Sequence, residues 1–291
     1  MKIIYIAGDG RSGSTLLDSI LSNIDGSLSV GECHRFWNRF YEGETLCSCG
    51  NKITDCELWN KVDKQLKARF VDYNPNEFKA RVIEIQKYKN FDKIPHIVSS
   101  EAWKPFCEQV IAYYKIIAVY NKRGAIIDSS KSISWCYFLE QLNFSELYII
   151  HLERNLSSVA NSWKKHILLP EYDQKEVLMP IKSIALSTKI WLKVKLMARR
   201  LKKAEHYLFI SYEGLCKNPE HSLRKIKAFV DEDFDNKNLK MQPTHAIGGN
   251  PMRAHSNHNI SIVSHKDINK NLNKFEHISL KFVNQLANIF I

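Results

Sequence analysis

Short apolar runs punctuate the chain at residues 2–7, 125–128, 147–152 and 207–211, each rich in Ile, Tyr, Leu or Phe and each followed by polar residues or glycine. Continuous runs of this kind, without the alternation of a half-wet strand, predict strands covered on both faces. A fifth, weaker run lies at residues 28–30. Between the runs, apolar positions recur at helical spacing over residues 14–24, 101–122, 156–166, 182–203, 219–230 and 275–289. The fifth of these opens on Pro219, a residue suited to a first helical turn. The last sets Phe282, Leu286 and Ile289 on one face. Strand alternating with helix predicts an α/β fold, a doubly wound parallel sheet of four to five strands flanked by helices. No internal repeat interrupts the pattern. Residues 35–95 carry many aromatics and charges but no clear strand, and residues 254–274 are rich in Asn, His, Ser and Lys, as a loop would be. Neither resembles a separate domain, so residues 1–291 are expected to form one domain with helical and loop decorations.

Composition narrows this picture only a little. The formal net charge of +11 attracts phosphate-rich ligands, nucleic acid or anionic membranes without choosing among them, and a lysine-rich surface also serves solubility. No segment approaches the roughly 20 apolar residues of a membrane helix. The run at residues 3–7 is too short for a secretory signal and leads into a glycine-rich turn, so a cytoplasmic protein is expected. Seven cysteines, an odd number, are then expected to be reduced. Cys47, Cys49 and Cys56 cluster, with Cys33 and His34 upstream. Three or four soft ligands could hold zinc, but Cys-x-Cys is tighter than the usual Cys-x2-Cys. Free thiols and no metal are the expectation.

The first strand ends in Gly8-Asp9-Gly10-Arg11-Ser12-Gly13-Ser14-Thr15-Leu16-Leu17 and opens a helix. Small residues let the backbone turn tightly so that successive N–H groups face one anion, and the helix N-terminus and the hydroxyls of Ser14 and Thr15 add to the attraction. Gly8 and Gly13 have the spacing of the G-x4-G-K-[ST] nucleoside-triphosphate loop, but Ser14 stands where the lysine belongs. Positive charge appears instead at Arg11. This predicts a smaller anionic group gripped by one arginine, with no need for Mg²⁺.

Residues 11–17, Arg-Ser-Gly-Ser-Thr-Leu-Leu, resemble the 5'-phosphosulfate loop of the sulfotransferases that use 3'-phosphoadenosine 5'-phosphosulfate (PAPS), in the bacterial and tyrosylprotein-type form that carries arginine. Similar motifs run from residue 5 to residue 253. The resemblance implies a P-loop-type α/β fold, PAPS as co-substrate, its 3',5'-bisphosphate (PAP) as product, and no metal. It assigns Arg11, Ser12, Gly13, Ser14 and Thr15 to the 5' end of the nucleotide. Arg154, at the end of the third main strand, and Ser162, eight residues on, look like the 3'-phosphate motif; a guanidinium there can grip phosphate bidentately. Tyr212, in Tyr212-Glu213-Gly214-Leu215, looks like the tyrosine near the adenine, or is a core tyrosine. Gly249, Asn250, Met252 and Arg253, in Gly248-Gly249-Asn250-Pro251-Met252-Arg253, look like the late segment that closes over the 3'-phosphate.

Sulfuryl transfer asks mainly for positioning and charge stabilisation. Glu32, in Val30-Gly31-Glu32, resembles the catalytic glutamate of a Gly-Glu-Glu segment, although here Cys33 follows it; His34 is the alternative base. Lys131, in Asp128-Ser129-Ser130-Lys131, resembles a lysine placed against the leaving group. Asp128 read as a Mg²⁺-holding acid would suit the competing function, a P-loop kinase or nucleoside triphosphatase with a degenerate loop; a nucleic-acid or membrane module is a third. The preferred expectation is sulfuryl transfer to a hydroxyl or to an amine or guanidinium nitrogen of a small molecule, with neither nucleic acid nor membrane as partner. Residues 35–110, 165–185 and 254–274 are expected to build the acceptor pocket. Phe36, Trp37, Phe40 and Tyr41 could line it or be core.

Overall fold

Ile3, Ile4, Tyr5 and Ile6 are fully buried and form the middle of a sheet in the computed structural model, which describes residues 1–121, 124–169, 171–172, 176–248, 259–262 and 271–291. Strand β1 (Lys2–Gly8) pairs in parallel with β3 (Ile126–Lys131) on one side and β4 (Glu146–Glu153) on the other. Strand β2 (Leu28–Gly31) lies outside β3, and β5 (Tyr207–Ser211) outside β4, giving the order β2-β3-β1-β4-β5 with every pairing parallel. All five expected runs are therefore strands. The one displaced boundary that matters is in β3, which runs on to Lys131 and so carries Ser129, Ser130 and Lys131 to the sheet's edge.

The side-chain alternation of β1 explains why it needs apolar residues throughout. Ile3, Tyr5 and Ala7 enter one core, whereas Ile4 and Ile6 enter another on the opposite face. Helix α1 (Ser14–Leu21) covers the second face. The first is covered after an insertion of four helices, α2 (Phe36–Glu42), α3 (Glu57–Arg69), α4 (Pro75–Gln86) and α5 (Ile94–Ser99), followed by α6 (Lys104–Asn121). Helices α7 (Ile133–Leu142), α8 (Leu156–Trp163) and α9 (Ile184–Leu201) follow β3 and β4; α10 (Tyr212–Lys217), α11 (Pro219–Val230) and α12 (Lys274–Phe290) complete the order.

Helix α7 was missed by periodicity, because Ile133, Trp135, Cys136, Phe138 and Leu139 are all buried and leave only a narrow polar stripe, Tyr137, Glu140 and Gln141, to mark a helix. Its start is fixed instead by Ser132, whose hydroxyl accepts from the Trp135 amide. In the 35–95 region, Phe36, Trp37 and Phe40 belong to the core, with Trp37 stacked on Phe78 at 3.6 Å between ring centres. Tyr41 donates to Asp63. Phe36, Trp37 and Phe40 thus pack the insertion onto the sheet, whereas Tyr41 stays exposed. Helix α12 opens with a capping box between Asn273 and Glu276 and docks through Leu280 and Ala287 against the core that includes α8. Its face with Phe282, Leu286 and Ile289 points outward. Among the described residues, no helix is long and apolar enough to cross a membrane.

Candidate active site

Parallel strands bring all their carboxyl ends to one edge, and the chain reverses direction across the sheet at β1, between β3 and β4. A crevice at such a switch point is where open α/β sheets bind ligands. Here it is a cleft of about 1630 Å³. Every described site residue expected from sequence lines it except Ser12. Gly249, Asn250, Met252 and Arg253 lie outside the described residues.

The loop after β1 is shaped by Gly13. Its φ of +93° favours glycine, and a Cβ there would sit 2.3 Å from the ring of Tyr212. Tyr212 itself is buried at the start of α10. Gly13→Ala is expected to destabilise the fold by at least about 2 kcal/mol, from backbone strain and overpacking together. The check is a melting temperature lower by several degrees; an unchanged protein would mean that Tyr212 does not clamp the loop. Ser14 and Thr15 begin α1 and face the cleft, while Ser12 Oγ is buried without a hydrogen-bond partner. Asp9, which the sequence did not mark, accepts from the Gly10 amide at 2.6 Å through Oδ1 and has a buried, unpartnered Oδ2. Burial pushes its carboxyl up to about 6, against that amide and the pull of Lys182 and Lys131.

Two arginines converge above this loop. Arg11 has a φ of +69°, and its Nε donates to Ser162 Oγ of α8 at 2.9 Å. Arg154 follows β4; its Nη1 donates to the Arg11 carbonyl at 3.2 Å, and its guanidinium lies 4.4 Å above the Tyr212 ring. The Arg154 Nε is buried and has no hydrogen-bond partner. Ser162, expected beside Arg154, has its hydroxyl held by Arg11, and both arginines and Ser162 border the same space. Burial, then repulsion from Arg154, lowers the Arg11 pKa. Trp163 and Lys182 were missed. The Lys182 ammonium sits 3.3 Å from the centre of the Trp163 ring, and that ring leaves no room for a Cβ at Gly10.

The far side of the cleft carries the acid and base groups. Glu32 is buried just beyond β2; its carboxylate accepts from Lys131 and lies 2.9 Å from Arg35 Nε as an ion pair without hydrogen-bond alignment. Burial pushes the Glu32 carboxyl up, but Lys131 and Arg35 together prevail and hold it at about 2. His34 is pushed down to about 3 by burial and by Arg35, so its ring is neutral near pH 7, with Nδ1 buried and unpartnered. A second carboxylate, Glu171, was not foreseen. It accepts from Arg39 Nη2 at 2.6 Å, and burial raises its pKa in spite of that arginine. Gly248 lies between the two acids: a Cβ added to it would be 3.7 Å from Glu32 Cδ and 3.6 Å from Glu171 Oε2. Asp128 turns away from the cleft. Its carboxylate accepts from the Ser130 amide, Tyr114 and Cys33 inside the core.

Residues 4–236 match the model of a family described as the sulfotransferase family. The chain superposes on a sulfotransferase domain from the Synechococcus PCC 7002 olefin synthase with a TM-score of 0.53, at 18% identity, over 99% of this chain and 94% of that one. A sulfotransferase domain from the curacin biosynthetic pathway gives 0.53 at 17% identity, over 98% and 97%. At these identities the likeness establishes the fold. No curated protein matches the sequence.

Proposed function

Because this chain belongs to the sulfotransferase family, we propose that it moves a sulfuryl group from PAPS to a hydroxyl or to an amine or guanidinium nitrogen of a small-molecule acceptor. One observation carries the reading: Arg11, Arg154 and the glycine-shaped loop meet, in one cleft, an ionised Glu32–Lys131 pair. The donor set fits a nucleotide with anions at both ends. Arg154 Nε and Ser12 Oγ are buried without partners, and Arg11 and Arg154 repel one another until an anion compensates them. Residues 11–15 would hold the 5'-phosphosulfate, and Arg154 with Ser162 the 3'-phosphate.

In the proposed reaction the acceptor atom attacks sulfur as the bond from sulfur to the bridging oxygen breaks. That oxygen leaves with the electron pair as part of the 5'-phosphate of PAP, and the acceptor's proton passes to Glu32. Held at about 2, Glu32 is a feeble base while Lys131 grips it. Movement of Lys131 toward the bridging oxygen would serve both ends of the reaction. It would neutralise the leaving group, and it would leave burial free to raise the basicity of Glu32. The competing Mg²⁺-dependent reading loses its acid, since the Asp128 carboxylate is committed within the core.

Thermal unfolding tests the nucleotide. PAP at 100 times its dissociation constant is expected to stabilise the protein by about 2.7 kcal/mol, with no comparable effect of ATP–Mg²⁺. A rise in melting temperature with ATP–Mg²⁺ alone would return the cleft to the kinase reading. Labelled PAPS incubated with metabolite extracts then identifies the acceptor, as the labelled product.

A further inference from the structure

The 45–56 segment is a small hairpin. Leu46 pairs with Lys52 across it, the Cys47 amide donates to the Asn51 carbonyl, and the Gly50 amide donates to the Cys47 carbonyl at 2.9 Å. Gly50, at φ +90°, closes the turn immediately after Cys49. The hairpin holds Cys47 and Cys49 beside Cys56, at the start of α3. Into this group comes His245, from a segment 189 residues later than Cys56. The three sulfurs and a ring nitrogen of His245 all lie within 4.8 Å of one another. Cys33 and His34, the ligands considered from sequence, do not take part: Cys33 donates to Asp128 and His34 faces the cleft.

We propose that Cys47, Cys49, Cys56 and His245 form a tetrahedral structural zinc site. Ligands at Zn–S and Zn–N distances of about 2.3 and 2.0 Å would stand roughly 3.5–3.8 Å apart, which matches a spread below 4.8 Å and is too compact for an iron–sulfur cluster. The donor chemistry fits: three thiolates and one imidazole are a common closed set for structural zinc. On binding, the metal takes the place of three thiol protons, which go to solvent. The imidazole is oriented for this role. Its Nδ1 is 3.1 Å from Cys56 Sγ, and its Nε2 faces the Tyr120 hydroxyl at 3.2 Å, which in turn donates to Glu57 at 3.3 Å. Such a partner on the outer nitrogen fixes the tautomer of a metal-bound histidine. Trp59 Nε1 also donates to the His245 carbonyl at 2.9 Å, and Ser48 bonds the Ala246 backbone on both sides.

The placement explains why the fold would hold a metal here. His245 begins a stretch that runs beside β2: the Ile247 amide donates to the Val30 carbonyl, and the Glu32 amide donates to the Ile247 carbonyl at 2.8 Å. Gly248 then abuts Glu32 and Glu171. A zinc ion would tie the inserted hairpin to this stretch and so fix the backbone that presents Glu32. It would act on the cleft through position and take no part in transfer.

The test is metal content of the full-length protein, purified under reducing conditions without chelator. About one zinc per chain is expected, and Co²⁺ exchanged into the site should give the intense visible absorption of tetrahedral cobalt thiolate. Cys49→Ser and His245→Asn should lower the zinc content severalfold and alter the cobalt spectrum. Removal of zinc should speed hydrogen exchange of the Glu32 and Ile247 amides. None of these readouts depends on PAPS or on sulfuryl transfer, and the zinc content and cobalt spectrum of the unaltered protein do not depend on whether the variants fold. Substoichiometric zinc with only the pale spectrum of octahedral cobalt would overturn the proposal. So would bound iron and sulfide, or a disulfide among Cys47, Cys49 and Cys56 in the isolated protein.

Discussion

Glu32→Gln is expected to lower turnover by about 10²–10⁴-fold while leaving PAP affinity nearly unchanged. The amide keeps the shape of the side chain but cannot accept the acceptor's proton, and Glu32 lies across the cleft from the arginines that would hold the nucleotide. The acid limb of the pH profile checks the mechanism. In the free protein Glu32 sits near 2, so it contributes no acid limb in the ordinary working range. Burial alone pushes the same carboxyl up, so Lys131→Ala should move its limb to higher pH as well as slow transfer. Folding stability follows the same sign. A carboxyl depressed in the folded state stabilises the protein fully above its unfolded pKa of about 4.3, and that contribution fades as pH falls toward about 2. Full turnover in Glu32→Gln would transfer the role of base to His34 or Glu171. Of these, Glu171 has the raised pKa and His34 the depressed one.

The sheet was legible because buried parallel strands read as continuous apolar runs, as β1 does from Ile3 to Ala7; β5 carries a similar run although, at the sheet's edge, only Ile210 is buried. The loop after β1 was legible because its glycines are demanded locally, by backbone angle and by close approach at Gly13. Helix α7 escaped the same reading because its buried positions run together from Ile133 to Cys136 and leave only a narrow polar stripe at Tyr137, Glu140 and Gln141. The aromatics of residues 36–41 could not be divided between core and pocket, because that division depends on where Trp59, Phe78 and Tyr113 arrive from later in the chain. Glu171, Lys182 and His245 were hidden by distance of another kind. Each acquires its meaning from a partner well over a hundred residues away, respectively Arg39, Asp9 and Cys56, and nothing in its own neighbourhood marks it.

Arg154→Ala should weaken PAP binding by roughly 30- to 5,000-fold and leave a nucleotide without the 3'-phosphate much less affected. The range corresponds to about 2–5 kcal/mol, the usual cost of removing one partner from a buried, hydrogen-bonded charge pair. Arg154 is prepared for that role in three ways. Its guanidinium is already held over the Tyr212 ring, its Nη1 is anchored on the Arg11 carbonyl, and its Nε is out of water without a partner. Little rotamer freedom is then left to lose on binding. The nearby positive charge of Arg11, partly removed from water, makes the unliganded arrangement electrostatically costly and an arriving dianion correspondingly favourable. Arg154→Lys should recover only part of the loss, because an ammonium supplies the charge but not the planar fork. Calorimetric titration of both nucleotides against all three proteins decides the matter. Equal losses for the two nucleotides would detach Arg154 from the 3' end and leave it as a support for Tyr212 and the loop.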